Sequence, residues 1–206
     1  MNEYFNNLNK SYLHPNISKL EEYAKENNVP IVMKDSLYLI LELLSMVKPT
    51  RILEVGTAIG YSSICMSYHS GAIIDTIERN EEMYNIACRN IVEFEMQDKI
   101  NIHFADALEI DNSVLSKYDV IFIDAAKAQN IKFFEKYSPL LNDHGLIITD
   151  NLLFHGAYED LANQSKNVRK MVEKIDAYNK YLTNLTDYES MFINIGDGLS
   201  ITRKKI

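Results

Sequence analysis

Apolar residues recur at two different spacings along the chain, and the spacing changes near residue 50. Between Ile17 and Asn28, Leu20, Tyr23 and Ala24 fall on one helical face, and Ser18 followed by Glu21 has the spacing of a capping box. A short amphipathic helix is therefore expected to open the chain. From Ser36 to Val47 the apolar positions run almost all round, which predicts a helix buried on several sides and stopped at Lys48-Pro49. After it come short runs rich in β-branched residues: Arg51 to Val55, Ala72 to Ile77, Ile100 to Phe104, Tyr118 to Ile123 and Leu146 to Thr149. Helical patterns separate them.

Strands that alternate with helices predict βαβ units, and right-handed crossovers then place helices on both faces of a mostly parallel sheet. Beyond Asn151 the rhythm breaks into a loop, a long helical stretch from Leu161 to Leu185, and two last strands, Ser190 to Ile195 and Leu199 to Arg203. Gly196-Asp-Gly198 between them is a turn signal, so they should pair as an antiparallel hairpin. The expected architecture is α/β: a Rossmann-like, doubly wound, mostly parallel seven-stranded sheet that ends in this hairpin. No repeat or linker divides the 206 residues. At roughly 150 residues per domain the chain reads as one domain, 1–206, with 1–48 as its N-terminal helical segment.

Composition narrows the class. Hydrophobic residues at 47% and charged residues at 24% fit a globular domain and exclude a disordered or fibrous chain. The 29 acidic against 21 basic side chains give a net charge of −8, which argues against nucleic-acid binding through a broadly positive surface and leaves room only for a local basic patch. Cys65 and Cys88 show neither CxxC spacing nor a nearby His pair, which suits a reducing interior. Met1 to Lys10 lacks a secretion-signal pattern, and Leu37 to Val47, which contains Glu42 and Ser45, is too short for a membrane span. The expected setting is cytoplasmic.

In an open α/β sheet, ligands bind outside the carboxyl ends of the strands, near the reversal of strand order. With only 7 glycines in the chain, the pair Gly56 and Gly60 after the first strand stands out. Gly56 permits a tight turn and close approach, and Gly60 opens a helix whose free N–H groups favour an anion. Three residues separate the two, so the spacing is not the dinucleotide GxGxxG and counts against a dehydrogenase. Glu78, ending the second strand, can accept hydrogen bonds from ribose hydroxyls. Its neighbours Asp75 and Arg79 can be plain surface charges. Asp106, after the third strand, suits an adenine amino group or, as readily, a helix cap.

The fourth and fifth strands both end in acid. Asp124, Asp150 and Asn151 would bring three hard oxygen donors to one edge, a set suited to Mg²⁺ with positions left for water and substrate. The alternative is that both aspartates cap the helices that follow. Lys127 would then sit beside a metal-bound hydroxyl, where the cation's charge lowers an amine's pKa and favours a general base; otherwise it is a solvated lysine. His155 either lines the pocket or is a satisfied loop histidine. The other histidines give no triad or zinc spacing.

The runs Ile52 to Ser62, Ile77-Glu78-Arg79, Phe122 to Lys127 and Ile148 to Asn151 resemble the class I S-adenosylmethionine-dependent O-methyltransferases of the catechol and caffeoyl-CoA type, over about Val29 to Lys204. Within that family the chain is most similar to the bacterial enzymes that methylate 5-hydroxyuridine in tRNA, through Asn28-Val-Pro-Ile31, Asp176-Ala-Tyr-Asn179 and Gly196-Asp-Gly-Leu199. The resemblance implies that Gly56 and Ser62 hold the methionine part of the cofactor, Glu78 the ribose and Asp106 the adenine side. It places Val32 at a backbone contact to the cofactor. Asp124 would serve cofactor pocket and metal alike, with Asp150 and Asn151 as further metal ligands and Lys127 as base. Val32 stands where relatives commonly have Met, and Ala128 and Asn130 where they often have Gly and Tyr.

The implied reaction is Mg²⁺-dependent methyl transfer to the 5-hydroxyl of 5-hydroxyuridine at the wobble position of tRNA, giving 5-methoxyuridine, by a chain that forms homodimers. The alternatives are a catechol or caffeoyl-CoA-like acceptor, or a non-catalytic S-adenosylmethionine-binding module. Lys166, Arg169, Lys170, Lys174 and Lys180, set against Asp160, Glu173 and Asp176, together with Arg203 to Lys205, are either a local patch for tRNA or solvated helix and tail charges.

Overall fold

The computed structural model describes residues 3–9, 12–154, 156–157 and 161–205. Seven α-helices and seven strands follow in order among them: α1 Glu3–Leu8, α2 Ser18–Glu26, α3 Lys34–Val47, β1 Arg51–Val55, α4 Tyr61–Ser70, β2 Ile73–Glu78, α5 Glu81–Glu93, β3 Ile100–Phe104, β4 Tyr118–Ile123, α6 Asn130–Tyr137, β5 Leu141–Thr149, α7 Lys166–Thr183, β6 Tyr188–Ile193 and β7 Leu199–Lys204. The strands form a single sheet in the order β3-β2-β1-β4-β5-β7-β6. β1 to β5 are parallel, and β7 runs antiparallel to both β5 and β6. This is the expected seven-stranded, doubly wound fold with a C-terminal hairpin.

Alternate strand residues feed two cores, as the period of two in a strand requires. Ile52, Val120, Phe122 and Ile148 join α3, α4 and α5 on one face. Leu53, Val55, Ile121, Ile123 and Ile147 join α6 and α7 on the other. Near-continuous apolar strands are what a sheet covered on both sides needs. Strand order reverses between β1 and β4, whose carboxyl ends therefore frame a cleft.

Several local expectations are corrected. A short helix, α1, precedes the predicted opening helix. The capping box does not form: Ile17 occupies the cap of α2 and Ser18 is already inside the helix. Glu21 is instead drawn to long-range partners, the Tyr61 hydroxyl at 2.9 Å and Lys34 at 2.7 Å. The last long helix starts late, at Lys166, because the Ser165 side chain caps it by accepting from the Val168 N–H at 3.3 Å. Strand β5 begins at Leu141, not Leu146, pairing across an irregularity between Tyr118 and Val120. Exposed Asn142, Asp143 and His144 before Gly145 disguise that extension as a turn.

Asp75 is not a surface charge. It is buried, and although burial pushes its pKa up, His103, Arg51, Tyr118 and Asn101 hold it well below the usual carboxylate range. Arg51 and Tyr118 approach it to 2.7 and 2.9 Å.

Gly145 has no room for a side chain. A Cβ there would lie 2.7 Å from both the Asp119 carbonyl oxygen and Leu141 Cδ1. Gly145→Ala should therefore destabilise the fold by about 1–3 kcal/mol through overpacking, read as a lower urea midpoint with an unchanged m-value.

Candidate active site

A cavity of about 330 Å³ opens at the carboxyl edge between β1 and β4. Val32, Gly56, Ser62, Glu78, Asp106, Asp124, Lys127 and Asn151 all line it. These come from the chain before α3 and from the ends of β1, β2, β3, β4 and β5, so the topology assembles residues scattered over more than half the sequence.

The β1 loop is built by backbone conformation. Gly56 has φ +97°, and a Cβ on it would collide with the carbonyl of Asp124. Gly60 has φ +85° and caps α4, whose first residues, Tyr61 and Ser62, face the cavity. Glu78 braces the same loop: its carboxylate accepts from the N–H groups of Thr57 (3.3 Å), Ala58 (2.9 Å) and Asn80 (2.8 Å). Asp106 does not cap a helix. It lines the cavity while accepting from the Leu108 N–H at 2.8 Å, as a turn-capping aspartate does, and it pairs with Arg79 at 3.3 Å.

Two functional candidates were hidden in the sequence. Glu54 is fully buried in β1 and accepts hydrogen bonds from Ser62 Oγ and Thr76 Oγ1, both at 2.5 Å, and from Ser63. Burial pushes its pKa up, and even with these three donors it reaches about 7. It orients Ser62 at the cavity wall. The available signal was an acid interrupting an apolar strand. Asp197, 3% exposed in the β6–β7 connection, is the other; it reads in sequence as mere turn chemistry.

At the acidic edge, Asn151 Nδ2 donates to Asp124 Oδ1 at 2.9 Å, and the Asn151 N–H donates to Asp150 Oδ1 at 2.7 Å. The capping alternative fails for both aspartates. Ala126 precedes the turn Lys127–Gln129 with no side-chain cap, and Ser165 caps α7. Asp124 is raised by burial, with Lys127 pulling the other way. Asp150 rises to about 7 through burial and then through the neighbouring charge of Asp124. Buried acids that repel one another, with an amide oxygen beside them, form a set that a hard divalent cation would relieve. The residues therefore fit Mg²⁺. Among the described residues no group of three or more His, Cys, Asp and Glu side chains is arranged to hold a metal ion. His155 and Asp160 lie outside the described residues. No helix among the described residues is long and apolar enough to cross a membrane.

The doubly wound sheet with its antiparallel hairpin, and the cavity at the carboxyl edge of its parallel strands, define an α/β domain with a candidate ligand site at the switch point. The profile of the O-methyltransferase family matches residues 8–205, and the chain belongs to that family. Among solved structures, a Staphylococcus aureus protein provisionally titled a caffeoyl-CoA O-methyltransferase is similar at 44% identity and TM-score 0.92, over 98% of each chain. A Bacillus cereus O-methyltransferase in complex with SAH is similar at 26% identity and TM-score 0.78, over 92% of this chain and 90% of that one. Among curated proteins, the caffeoyl-CoA O-methyltransferase of Stellaria longipes is 26% identical over 174 residues, 79% of this chain and 71% of the relative.

An acid whose pKa is raised on folding holds a proton that the unfolded chain has already released. Between about pH 4 and about pH 7, Asp150 and Glu54 therefore make the metal-free protein less stable as pH rises. Asp150→Asn should lose less stability than the native chain across that window, measured by urea unfolding in the presence of chelator. Adding Mg²⁺ at pH 7 should raise the native midpoint and leave that of the variant nearly unmoved.

Proposed function

We propose that this chain transfers a methyl group from S-adenosylmethionine to one of two neighbouring oxygens on an acceptor, with Mg²⁺ held by Asp124, Asp150 and Asn151. The observation that carries this reading is one edge of the sheet on which a cofactor-sized cavity, an acidic oxygen set and a lysine meet. Gly56 and Ser62 take the methionine part, Glu78 the ribose and Asp106 the adenine side, and Val32, buried just before α3, supplies a backbone contact. The bound cofactor supplies an electrophilic methyl, and the cation supplies charge stabilisation for the acceptor's oxygens. Lys127, at the start of the turn that follows β4, takes the hydroxyl proton on Nζ. The strand ends would position acceptor and cofactor for the transfer, which would release S-adenosylhomocysteine, and this positioning would account for a further part of the rate.

The family likeness favours a catechol or caffeoyl-CoA-like acceptor. A specific observation keeps 5-hydroxyuridine in tRNA as a second reading. Its O5 and O4 atoms offer the same neighbouring pair, and the mouth of the site is locally basic. Lys127, Lys132 and Lys174 outnumber Glu135 in the lining of a second depression beside it, and Lys166, Arg169 and Lys170 are exposed on α7 against the single exposed acid Glu173. Lys180 is instead paired with Asp176 at 2.6 Å, and Arg203 with Glu189, which removes them from the patch. We also read the chain as a homodimer, a reading supported by Tyr4, Phe5 and Leu8, which lie exposed on α1.

Incubation with labelled S-adenosylmethionine and, in parallel, catechol, caffeoyl-CoA or tRNA carrying 5-hydroxyuridine identifies the acceptor by which product gains label. Absence of label from every acceptor would return the chain to a binding module. Lys127→Ala should lower kcat by about 10²–10⁴-fold while the affinity for S-adenosylhomocysteine stays within about twofold; an unchanged kcat would remove Lys127 as base. If tRNA is the acceptor, its affinity should fall steeply between 50 and 200 mM salt, and Lys170→Ala with Lys174→Ala should flatten that slope. A salt-independent affinity would dismiss the basic mouth.

A further inference from the structure

The connection between β6 and β7 does more than reverse the chain. Its carbonyls reach across to the segment leaving β5: the Leu152 N–H donates to the Gly198 carbonyl at 3.0 Å, and the Leu153 N–H donates to the Asp197 carbonyl at 2.8 Å. Leu152 and Leu153 directly follow Asn151, which stands in the left-handed region at φ +67°. Asparagine tolerates that conformation better than most residues, but something must hold it there. The two hydrogen bonds fix the chain immediately after the strained residue.

Steric fit points the same way. Gly198 has φ +84°, and a Cβ on it would lie 2.7 Å from Leu153 Cγ and 3.2 Å from the Leu153 nitrogen. Gly196, at φ +57°, is seated against Ser36 near the start of α3, where a Cβ would strike the Ser36 hydroxyl. The turn is thus wedged between α3 and the segment after Asn151, with no slack on either side.

Asp197, between the two glycines, is buried, and its charge bears on both Asp124 and Asp150. It does not complete a ligand cluster with them. Its turn is hydrogen-bonded to the two residues directly after Asn151, and from there an additional negative charge strengthens the attraction for a cation at the neighbouring carboxylates.

We propose that the Gly196-Asp197-Gly198 turn is a positioning element for the divalent-ion edge: its backbone holds Asn151 in the conformation that presents its carboxamide beside Asp124, and the Asp197 carboxylate supplies an outer charge that tightens ion binding. The inference rests on reading Asp124, Asp150 and Asn151 as the ion's ligands. Asp197 and the two glycines act through those residues and touch neither acceptor nor cofactor.

The test uses the full chain and Mn²⁺ as the probe, with free ion followed by electron paramagnetic resonance and S-adenosylhomocysteine affinity measured by calorimetry on the same samples. Asp197→Asn keeps the side chain's shape and should weaken Mn²⁺ binding by about 10–100-fold, with S-adenosylhomocysteine affinity within about twofold of native. Gly198→Ala should weaken Mn²⁺ binding in the same range through the turn's geometry. If Gly198→Ala does not fold, Asp197→Asn decides alone. Native Mn²⁺ affinity in Asp197→Asn overturns the proposal, as does a loss of Mn²⁺ and S-adenosylhomocysteine affinity in step, which would mark Asp197 as general support. Failure of the native chain itself to bind Mn²⁺ overturns the metal reading, and is told apart because no variant is needed to see it.

Discussion

The close approach of Gly56 to the carbonyl of Asp124 sets the geometry on which the rest depends. At that point the sheet's two halves part, and only a residue without a side chain lets the β1 loop lie against the end of β4. Two backbone hydrogen bonds lock the junction: Gly56 N–H to the Ile77 carbonyl at 3.1 Å and Asp124 N–H to the Val55 carbonyl at 3.0 Å. The cavity, the acid edge and the lysine are all placed by that junction. A bulkier residue would force the two strand ends apart and open the site along its floor.

The surrounding polar groups divide into two kinds. Glu54 and Asp75, both buried, and half-buried Glu78 are held by several donors each and shape the scaffold, because a carboxylate taken out of water without partners is costly. Asp124 and Asp150 are left with fewer donors and with each other's charge, the arrangement on which the proposed cation site rests.

Much of this was legible from one dimension. β1 and β4 run over the residues that their apolar runs marked, because strands buried on both faces carry a near-unbroken apolar signature, and β3, at the sheet's edge, does so through its alternation of apolar and polar residues. The strand-end acids and the two glycines were legible because the doubly wound topology puts ligands at carboxyl ends. Where the reading failed, a distant partner had overridden a local preference. Glu21 leaves its capping box for Tyr61, forty positions along the chain, and β5 extends through polar residues because Tyr118 offers a partner to Leu141.

The sequence by itself determined the order of strands and helices, the residues that end each strand and the chemistry they can carry, since periodicity and turn residues act locally. Only the tertiary structure decided which of those residues meet. It recruited Glu54 to Ser62, gave Asp106 a turn to cap as well as a cavity to line, and brought the charge of Asp197 to bear on Asp124 and Asp150. The physical reason is that burial and charge interaction depend on distance in space, and a sheet whose order is not that of the chain makes neighbours of residues that no local pattern connects.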